Sequence, residues 1–348
     1  MKISSISHYR CPVDKSVLHI EGSSSSNLVE EGDLISVSGQ RYSIVHGVPY
    51  LLDSEALSGI EQQTKNEYDR VADGIYDVAV DWQFAAFRED ENNIRESMAD
   101  LLNIRESDRV LEVGCGTGRD SFRLARRLGK GGSLFMQDLS PGMVHACEIN
   151  MLRYHKKMRF QCTLEYSVSS ATKLPFPDEY FDSVFHFGGF NQFGDLPGSA
   201  AELARVTRKD GRVLIGDEAV GPWLKGTEFE GIVTTNNALF KADVPLATLP
   251  ICARDVSVKW IIGNCFYVIV FTKGDGPPPL DLDLHHKGWR GGTMRTRYFG
   301  QLEGVTPEAK DLARKAAAAA GLSEHEWLDV LVKRAAHDIL QNQKSSSS

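Results

Sequence analysis

The glycine-rich segment at residues 109–120, which reads RVLEVGCGTGRD, constrains the fold of this chain more than any other stretch. Residues 110–113 form a short, mostly apolar run of the kind found in a strand buried in a parallel sheet. Three glycines follow at alternating positions, Gly114, Gly116 and Gly118. A helical apolar pattern then begins near Ser121. A strand, a glycine turn and a helix in this order bring the backbone close to a nucleotide-like ligand.

The spacing of the glycines indicates which ligand this turn suits. A dinucleotide-binding turn reads G-x-G-x-x-G, and its last glycine lets helix and strand pack closely. Here Arg119 occupies that last position. Glu112 precedes the first glycine, where a carboxylate suits an ammonium or sulfonium cation better than a pyrophosphate. The spacing favours a cationic nucleotide-like cofactor over NAD, and a plain glycine turn of any α/β domain is the alternative.

The same segment resembles motif I of the class I S-adenosylmethionine-dependent methyltransferases. The resemblance implies that Glu112, Gly114 and Gly116, with Gly118 beside them, hold the methionine part of the cofactor. The segment LFMQDLSPGM at residues 134–143 resembles the acidic motif of that family. Asp138 ends a predicted strand there, where a carboxylate can accept both ribose hydroxyls, and a plain helix cap is the alternative.

Further residues are assigned to the cofactor by the same resemblance. Leu139 and Met143 would flank the adenine, and Ser170 and Ala171 would meet its edge. The family usually carries aspartate where this chain has Ser170, so the hydroxyl is expected to replace a carboxylate contact. The pattern at residues 66–77 resembles the entry helix that covers the cofactor in small-molecule methyltransferases. Tyr68 is expected to face the ligand from that helix, with simple packing as the alternative.

The loop that follows the fourth predicted strand, HFGGFNQFGDLPG, is the expected reaction site. His186 is a candidate base near neutral pH, although a core histidine paired with backbone is an equal alternative. Asn191 is expected to orient the substrate. Asp217 and Glu218 end the next strand and are candidates for binding a substrate amine or accepting a proton, because ligands bind beyond the carboxyl ends of such strands.

The overall composition limits the classes of partner. The net charge of −8 argues against a protein that grips nucleic acid with its whole surface. Six cysteines are scattered without a C-x-x-C pair, which suits reduced thiols in the cytoplasm and gives no metal-binding spacing. No apolar run approaches the length of a membrane span. We therefore expect a cytoplasmic protein that acts on a small molecule, away from membranes and nucleic acid.

The N-terminal segment, residues 1–57, resembles the zinc-ribbon domain found beside some RNA guanine methyltransferases. Cys11 and the segment YSIVHGVPYLL match that pattern, but Asp14 replaces the second cysteine. Ile35 and Ser38 fall where the second cysteine pair would be. One thiolate cannot complete a tetrahedral zinc site, so the sequence predicts a ribbon without metal.

Together these patterns predict an α/β fold with a Rossmann-like, mostly parallel sheet of seven strands and an antiparallel edge hairpin. The expected domains are the β module at 1–57, the methyltransferase domain at 58–275, and a linker with a helical extension at 276–348. The helix pair in that extension resembles the helical part of ribbon-helix-helix proteins, which are obligate dimers, and this favours a homodimer. Docking of the two helices on the core of the same chain is the alternative.

The expected activity is in-line methyl transfer to a small-molecule acceptor. The sulfonium already activates the methyl group, so the protein needs mainly to align the acceptor and exclude water. Three alternatives stay open at this point. The chain could methylate an RNA base, use the sulfonium for a non-methyl transfer or a cyclisation, or bind the cofactor without catalysis.

Overall fold

The computed structural model describes residues 1–21, 27–53, 57–72, 74–289, 291–299 and 305–345. The chain divides into two compact units, Met1–Pro278 and Pro279–Ser348. The first unit holds both the N-terminal strands and the glycine-rich turn, and the division into three domains stays a prediction.

The described residues of the first unit include eleven strands that form one mixed sheet. In chain order they are β1 (Leu18–Ile20), β2 (Gly32–Ser36), β3 (Arg41–Val45), β4 (Val48–Leu51), β5 (Arg109–Val113), β6 (Ser133–Asp138), β7 (Thr163–Ser169), β8 (Phe181–Phe187), β9 (Thr207–Glu218), β10 (Ala253–Ile261) and β11 (Phe266–Lys273). Their order across the sheet is β1-β2-β3-β4-β7-β6-β5-β8-β9-β11-β10. Strands β4 to β9 pair in parallel along this order, and β11 and β10 form an antiparallel hairpin at the edge.

The prediction of a seven-stranded sheet is wrong. The N-terminal strands β1–β4 pair antiparallel with one another and join the main sheet through β4. Tyr50 of β4 pairs in parallel with Val168 of β7, and Leu51 pairs with Ser169. This pairing covers the edge of β7, whose backbone donors and acceptors would otherwise be exposed. The likeness of residues 1–57 to a zinc ribbon, and the expected absence of metal there, stay predictions.

The described helices of the first unit connect and cover these strands. They are α1 (Gly59–Val71), α2 (Ile75–Ala86), α3 (Glu91–Asp100), α4 (Ser121–Ala125), α5 (Pro141–Met158), α6 (Leu196–Val206) and α7 (Glu228–Asn236). Local signals in the sequence explain where they begin. Ser58 and Glu61 form a capping box at the start of α1, and Ser140 caps α5 just before Pro141.

Alternate residues of the central strands belong to two different hydrophobic cores. Leu111 and Val113 of β5 belong to one core, and Val110 belongs to the other. Successive side chains of a strand point to opposite faces, so the two cores lie on the two sides of the sheet.

The parallel strands end side by side, and this positions the candidate site. Val113 at the end of β5 is in register with Gln137 of β6 and with His186 of β8. The carboxyl ends of three neighbouring strands therefore meet at one edge, where open α/β sheets bind ligands.

The second unit is helical in its described part. Its helices are α8 (Met294–Phe299), α9 (Pro307–Ala319) and α10 (Glu324–Ser345). Thr306 caps α9 through a hydrogen bond to the backbone of Ala309. None of the helices in the described part of the chain is long and apolar enough to cross a membrane.

Candidate active site

A first cavity, of about 720 Å³ including the part open to solvent, lies at the carboxyl ends of β5, β6, β7 and β8. The predicted site residues that line it are Tyr68, Gly114, Gly116, Asp138, Leu139, Ser170, Ala171 and His186. The other predicted site residues, which do not line it within the described chain, are Glu112, Gly118, Met143, Asn191 and Asp217.

The glycine turn forms the floor of this cavity. Gly114, Gly116 and Gly118 have φ values of 70°, 50° and 86°, in the left-handed region that favours glycine. A Cβ on Gly114 would lie 3.4 Å from the His186 ring, and one on Gly116 would lie 3.8 Å from the Tyr76 ring. The missing side chains leave the space in which a ligand can approach the backbone.

Gly118 and Met143 have packing positions in the structure. A Cβ on Gly118 would lie 3.1 Å from Cys147 Sγ on α5, so this glycine allows close helix packing. Met143 is 1% exposed and belongs to the first turn of α5, where its amide donates to Ser140 Oγ. Leu139, by contrast, lines the cavity.

The carboxylate of Asp138 is held by backbone amides at the end of β6. Oδ2 accepts from Gly116 N at 2.9 Å, and Oδ1 accepts from Ser140 N at 2.9 Å. Each oxygen keeps a further lone pair for a ligand hydroxyl. Burial raises the pKa of Asp138 to about 6 against the opposing effect of these hydrogen bonds.

Glu112 lies beneath the turn on the face opposite Leu111 and Val113. Its carboxylate accepts a hydrogen bond from the Ser121 hydroxyl and is 2% exposed. Burial raises its pKa well above the usual range. Glu112 therefore does not line the first cavity, and its contact with the cofactor stays a prediction.

The His186 ring is held by backbone and also lines the first cavity. Its Nδ1 lies 2.7 Å from the Val113 carbonyl oxygen and donates to it, as a structural histidine does. Its Nε2 is buried, lacks a hydrogen-bond partner among the described residues, and belongs to a ring that lines the cavity. Burial lowers the pKa of His186, which keeps the ring neutral and leaves Nε2 as an acceptor.

Asn191 and Asp217 fix the loop that follows β8. Asp217 accepts from Gly189 N at 2.9 Å and from Asn191 N at 2.5 Å. Asn191 donates to the Glu218 carbonyl oxygen at 2.7 Å and accepts from the Tyr267 hydroxyl at 3.2 Å. Their polar atoms are used in hydrogen bonds within the protein, and the catalytic roles expected of both residues stay predictions.

A second cavity, of about 1110 Å³ including its open part, lies beside the first. The residues that line both cavities are Tyr68, Tyr76, Gly114, Gly116, Phe187, Gly188, Gly189 and Gln192. Its remaining wall mixes polar and apolar side chains, and the aromatic ones are Trp82, Phe84 and Phe266. Glu218 also lines it, and burial and the charge of Asp217 raise the pKa of Glu218 well above the usual range.

A buried ion pair adds polar groups to the second cavity. Arg95 bonds both Glu91 and Asp120, and the distance from Arg95 Nε to Glu91 Oε1 is 2.6 Å. Asp120 Oδ1 is buried and has no hydrogen-bond partner within the described residues. Both Arg95 and Asp120 line the cavity.

The sequence patterns did not single out Glu61, Arg95 or Asp120, and they left Asp217 and Glu218 as joint candidates. Alternation along β9 is a signal that separates that last pair, because neighbouring strand residues point to opposite faces. Leu214 and Glu218 share one face of β9, and Ile215 and Asp217 share the other. Glu61 carries only a capping-box signal, which indicates a helix start rather than a site.

Comparison with known proteins defines the class. A methyltransferase domain family model matches residues 111–215. The demethylmenaquinone methyltransferase of Beutenbergia cavernae is 31% identical over 199 residues, which are 57% of this chain and 72% of that protein. The 27-O-demethylrifamycin SV methyltransferase of Amycolatopsis mediterranei is 27% identical over 148 residues, which are 42% of this chain and 52% of that protein.

The chain is also similar to a solved structure. The S-adenosylmethionine-dependent methyltransferase from Aquifex aeolicus aligns with 51% of this chain and 89% of its own length, at 21% identity and a TM-score of 0.38. The chain belongs to the class I S-adenosylmethionine-dependent methyltransferases. The cofactor of this class is S-adenosylmethionine.

Proposed function

We propose that the chain binds S-adenosylmethionine in the first cavity and methylates a small molecule held in the second. Eight residues line both cavities, so a cofactor in the first and an acceptor in the second would lie side by side, as in-line transfer requires. When bound, the sulfonium supplies an activated methyl group, and the residues of the chain align the acceptor and remove its proton.

The residues of the first cavity fit this cofactor. Gly114 and Gly116 leave an open cradle for the methionine part, and the Asp138 carboxylate has acceptor capacity for the ribose hydroxyls. The His186 ring lies beside Gly114, and its Nε2 has no hydrogen-bond partner among the described residues. Ser170 and Ala171 border the space for the adenine edge, and Tyr68 covers it from α1.

One observation supports placing the methyl acceptor in the second cavity. The Glu218 carboxyl group lines that cavity and could remove a proton from the acceptor. A base works best when its pKa lies near the working pH, and burial beside Asp217 moves Glu218 in that direction. His186 is a weaker base because burial lowers its pKa. We therefore assign proton removal to Glu218, with His186 as the alternative.

The wall of the second cavity favours an acceptor with an apolar body and a proton-bearing group. Trp82, Phe84 and Phe266 supply flat apolar surface, whereas Glu218 and Asp120 supply hydrogen-bond acceptors. The two curated relatives described above are named for demethylmenaquinone and 27-O-demethylrifamycin SV, and both are small molecules. The acidic charge of the chain favours such acceptors over RNA.

The test is methyl transfer from S-adenosylmethionine to a panel of acceptors, followed by product mass spectrometry. The panel contains demethylmenaquinone, 27-O-demethylrifamycin SV, simple phenols, amines and a short RNA. We expect a mass gain of one methyl group on a hydroxyl-bearing small molecule. Methylation of the RNA alone, or a product without the added methyl group, would contradict the proposal.

Glu218→Gln tests the assigned base on whichever acceptor is methylated. We expect kcat to fall by about 10²-fold or more, because general base catalysis contributes about 10²–10⁴-fold. In the parent protein the rate should fall as pH drops through the raised pKa of Glu218, since the protonated carboxyl cannot accept a proton. Glu228→Gln, an exposed residue in the first turn of α7, is the matched control and should be unchanged. An unchanged kcat in Glu218→Gln removes this residue from the mechanism.

A further inference from the structure

The carboxylate of Glu61 reaches the first cavity from the first turn of α1. Glu61 is 7% exposed and lines the cavity together with Ser170, Ala171 and Thr172. It stands 109 residues before Ser170 in the chain, yet its Oε1 accepts the Ser170 hydroxyl at 2.5 Å. A buried carboxylate therefore stands at the edge of the cavity where this chain lacks the usual aspartate.

Ser170 is poorly suited to replace that aspartate by itself. The exocyclic amino group of adenine is a donor and needs an acceptor. The Ser170 hydroxyl gives its proton to Glu61 and already accepts from Thr172 N at 3.1 Å. Its remaining acceptor capacity is small, and its proton points at Glu61 rather than into the cavity.

The Glu61 carboxylate has acceptor capacity to spare. Oε1 accepts from Ser170 Oγ and from Thr172 Oγ1, the latter at 3.1 Å. Oε2 accepts from Ser58 N at 2.9 Å. A carboxylate offers about four lone-pair sites, and these contacts, with the nearby Ser58 hydroxyl, leave at most one of them for a ligand.

The ionisation state of the Glu61 carboxyl group suits a hydrogen-bond acceptor. Burial acts to raise the pKa of Glu61, but the hydrogen bonds from Ser170, Ser58 and Thr172 together hold it below the usual value. The group is thus ionised at neutral pH and can only accept hydrogen bonds.

We infer that Glu61 accepts a hydrogen bond from the adenine amino group of the cofactor, so that α1 supplies the base contact which position 170 has lost. This inference rests on the cofactor and not on the assignment of Glu218. Glu61 is then a specificity residue, and the alternative is that it serves only as the N3 member of the capping box of α1.

The test compares two ligands by calorimetry, S-adenosylhomocysteine and S-inosylhomocysteine. The second carries a carbonyl oxygen where adenine has the amino group, and this oxygen would face the Glu61 carboxylate as one acceptor facing another. The parent protein should prefer S-adenosylhomocysteine by about tenfold or more, given the usual strength of hydrogen bonds to charged groups. Equal affinity for both ligands would overturn the inference, even if both bind tightly.

Glu61→Gln should lower the affinity for S-adenosylhomocysteine. It should also reduce the ratio of the affinities for S-adenosylhomocysteine and S-inosylhomocysteine, because an amide can donate to the carbonyl of the inosine ligand. The control is Ser58→Ala, which removes the other half of the capping box and keeps the carboxylate. A purely structural role predicts weaker binding of both ligands and an unchanged ratio in both variants. An unchanged ratio in Glu61→Gln therefore contradicts the inference, whatever happens to the absolute affinity.

Discussion

Asp138 is the residue at which local structure and ligand chemistry are most closely coupled. Two backbone amides, from Gly116 and Ser140, hold its carboxylate at the end of β6. Burial nevertheless raises its pKa to about 6, which places its protonation within a range that binding experiments can reach. Ribose hydroxyls donate to the ionised carboxylate, whereas the protonated group keeps less acceptor capacity.

Cofactor affinity should therefore depend on pH. We expect the affinity for S-adenosylhomocysteine to be steady above pH 7 and to fall about tenfold between pH 7.5 and pH 5, as a proton competes with the hydroxyls. Asp138→Asn should bind more weakly by about 1.5–3 kcal/mol and lose this pH dependence. Calorimetry across this range decides the point, and a variant with the parent protein's pH profile would refute the ribose assignment.

Among the candidate site residues, the sequence predicts the position of those whose surroundings are set by one local segment. Asp138 follows an apolar strand and precedes a helix cap, so its place at a strand end was predictable. Glu61 was not, because its site role depends on a contact with Ser170, 109 residues away. The choice between Asp217 and Glu218 depends on the face of β9, which the sequence pair alone does not decide.

At the scale of elements, the loop after β8 depends on β9 for its shape. Asp217 lies next to Tyr267 of β11 and accepts the amides of Gly189 and Asn191. Gly188 and Gly189 line both cavities, so the strand pairing at the end of β9 fixes part of the wall that the two cavities share.

Asp217→Asn should loosen this loop, because its amide group would face a backbone N–H as one donor facing another. We expect unfolding in urea to require about 1–3 kcal/mol less free energy, the cost of an unpaired buried donor. Hydrogen exchange at Gly189 and Asn191 should also become faster. Asp195→Asn at the exposed N-cap of α6 is the control, since asparagine caps a helix as well as aspartate does. Equal stability of both variants would show that Asp217 does not hold the loop.

The number of strands in the sheet could not be predicted, because a local sequence pattern does not indicate which strands pair. Alternation and glycine turns indicate where strands lie, but the pairing of β4 with β7 joins residues 50–51 to residues 168–169. Nothing local to either strand specifies that partner. The N-terminal strands were therefore expected as a separate module, whereas they extend the main sheet.

At the scale of the whole molecule, the described part of the second unit presents apolar side chains on its two longer helices. Leu312 of α9 and Leu331 and Ile339 of α10 are exposed by 61%, 44% and 61%. Two helices joined by a short turn bury little apolar surface alone, and a second copy of the chain is the partner that we predict.

Removal of residues 303–348 should convert a dimer into a monomer. Cofactor binding should persist, because the residues that line the first cavity lie between Glu61 and Phe193. Light scattering measures the molar mass of the full-length and the truncated protein. Calorimetry with S-adenosylhomocysteine serves as the control, because it shows whether the truncated protein still binds the ligand. A full-length protein that is already monomeric would exclude the dimer.

The most direct test of the account as a whole is a crystal structure of the chain with bound S-adenosylhomocysteine. We predict that the ribose hydroxyls lie within about 3.2 Å of the Asp138 carboxylate, the usual limit for a hydrogen bond. The adenine should border Ser170 and Ala171, and the sulfur should face the second cavity that Glu218 lines. A ligand bound away from Asp138, or with its sulfur directed away from the second cavity, would contradict the account.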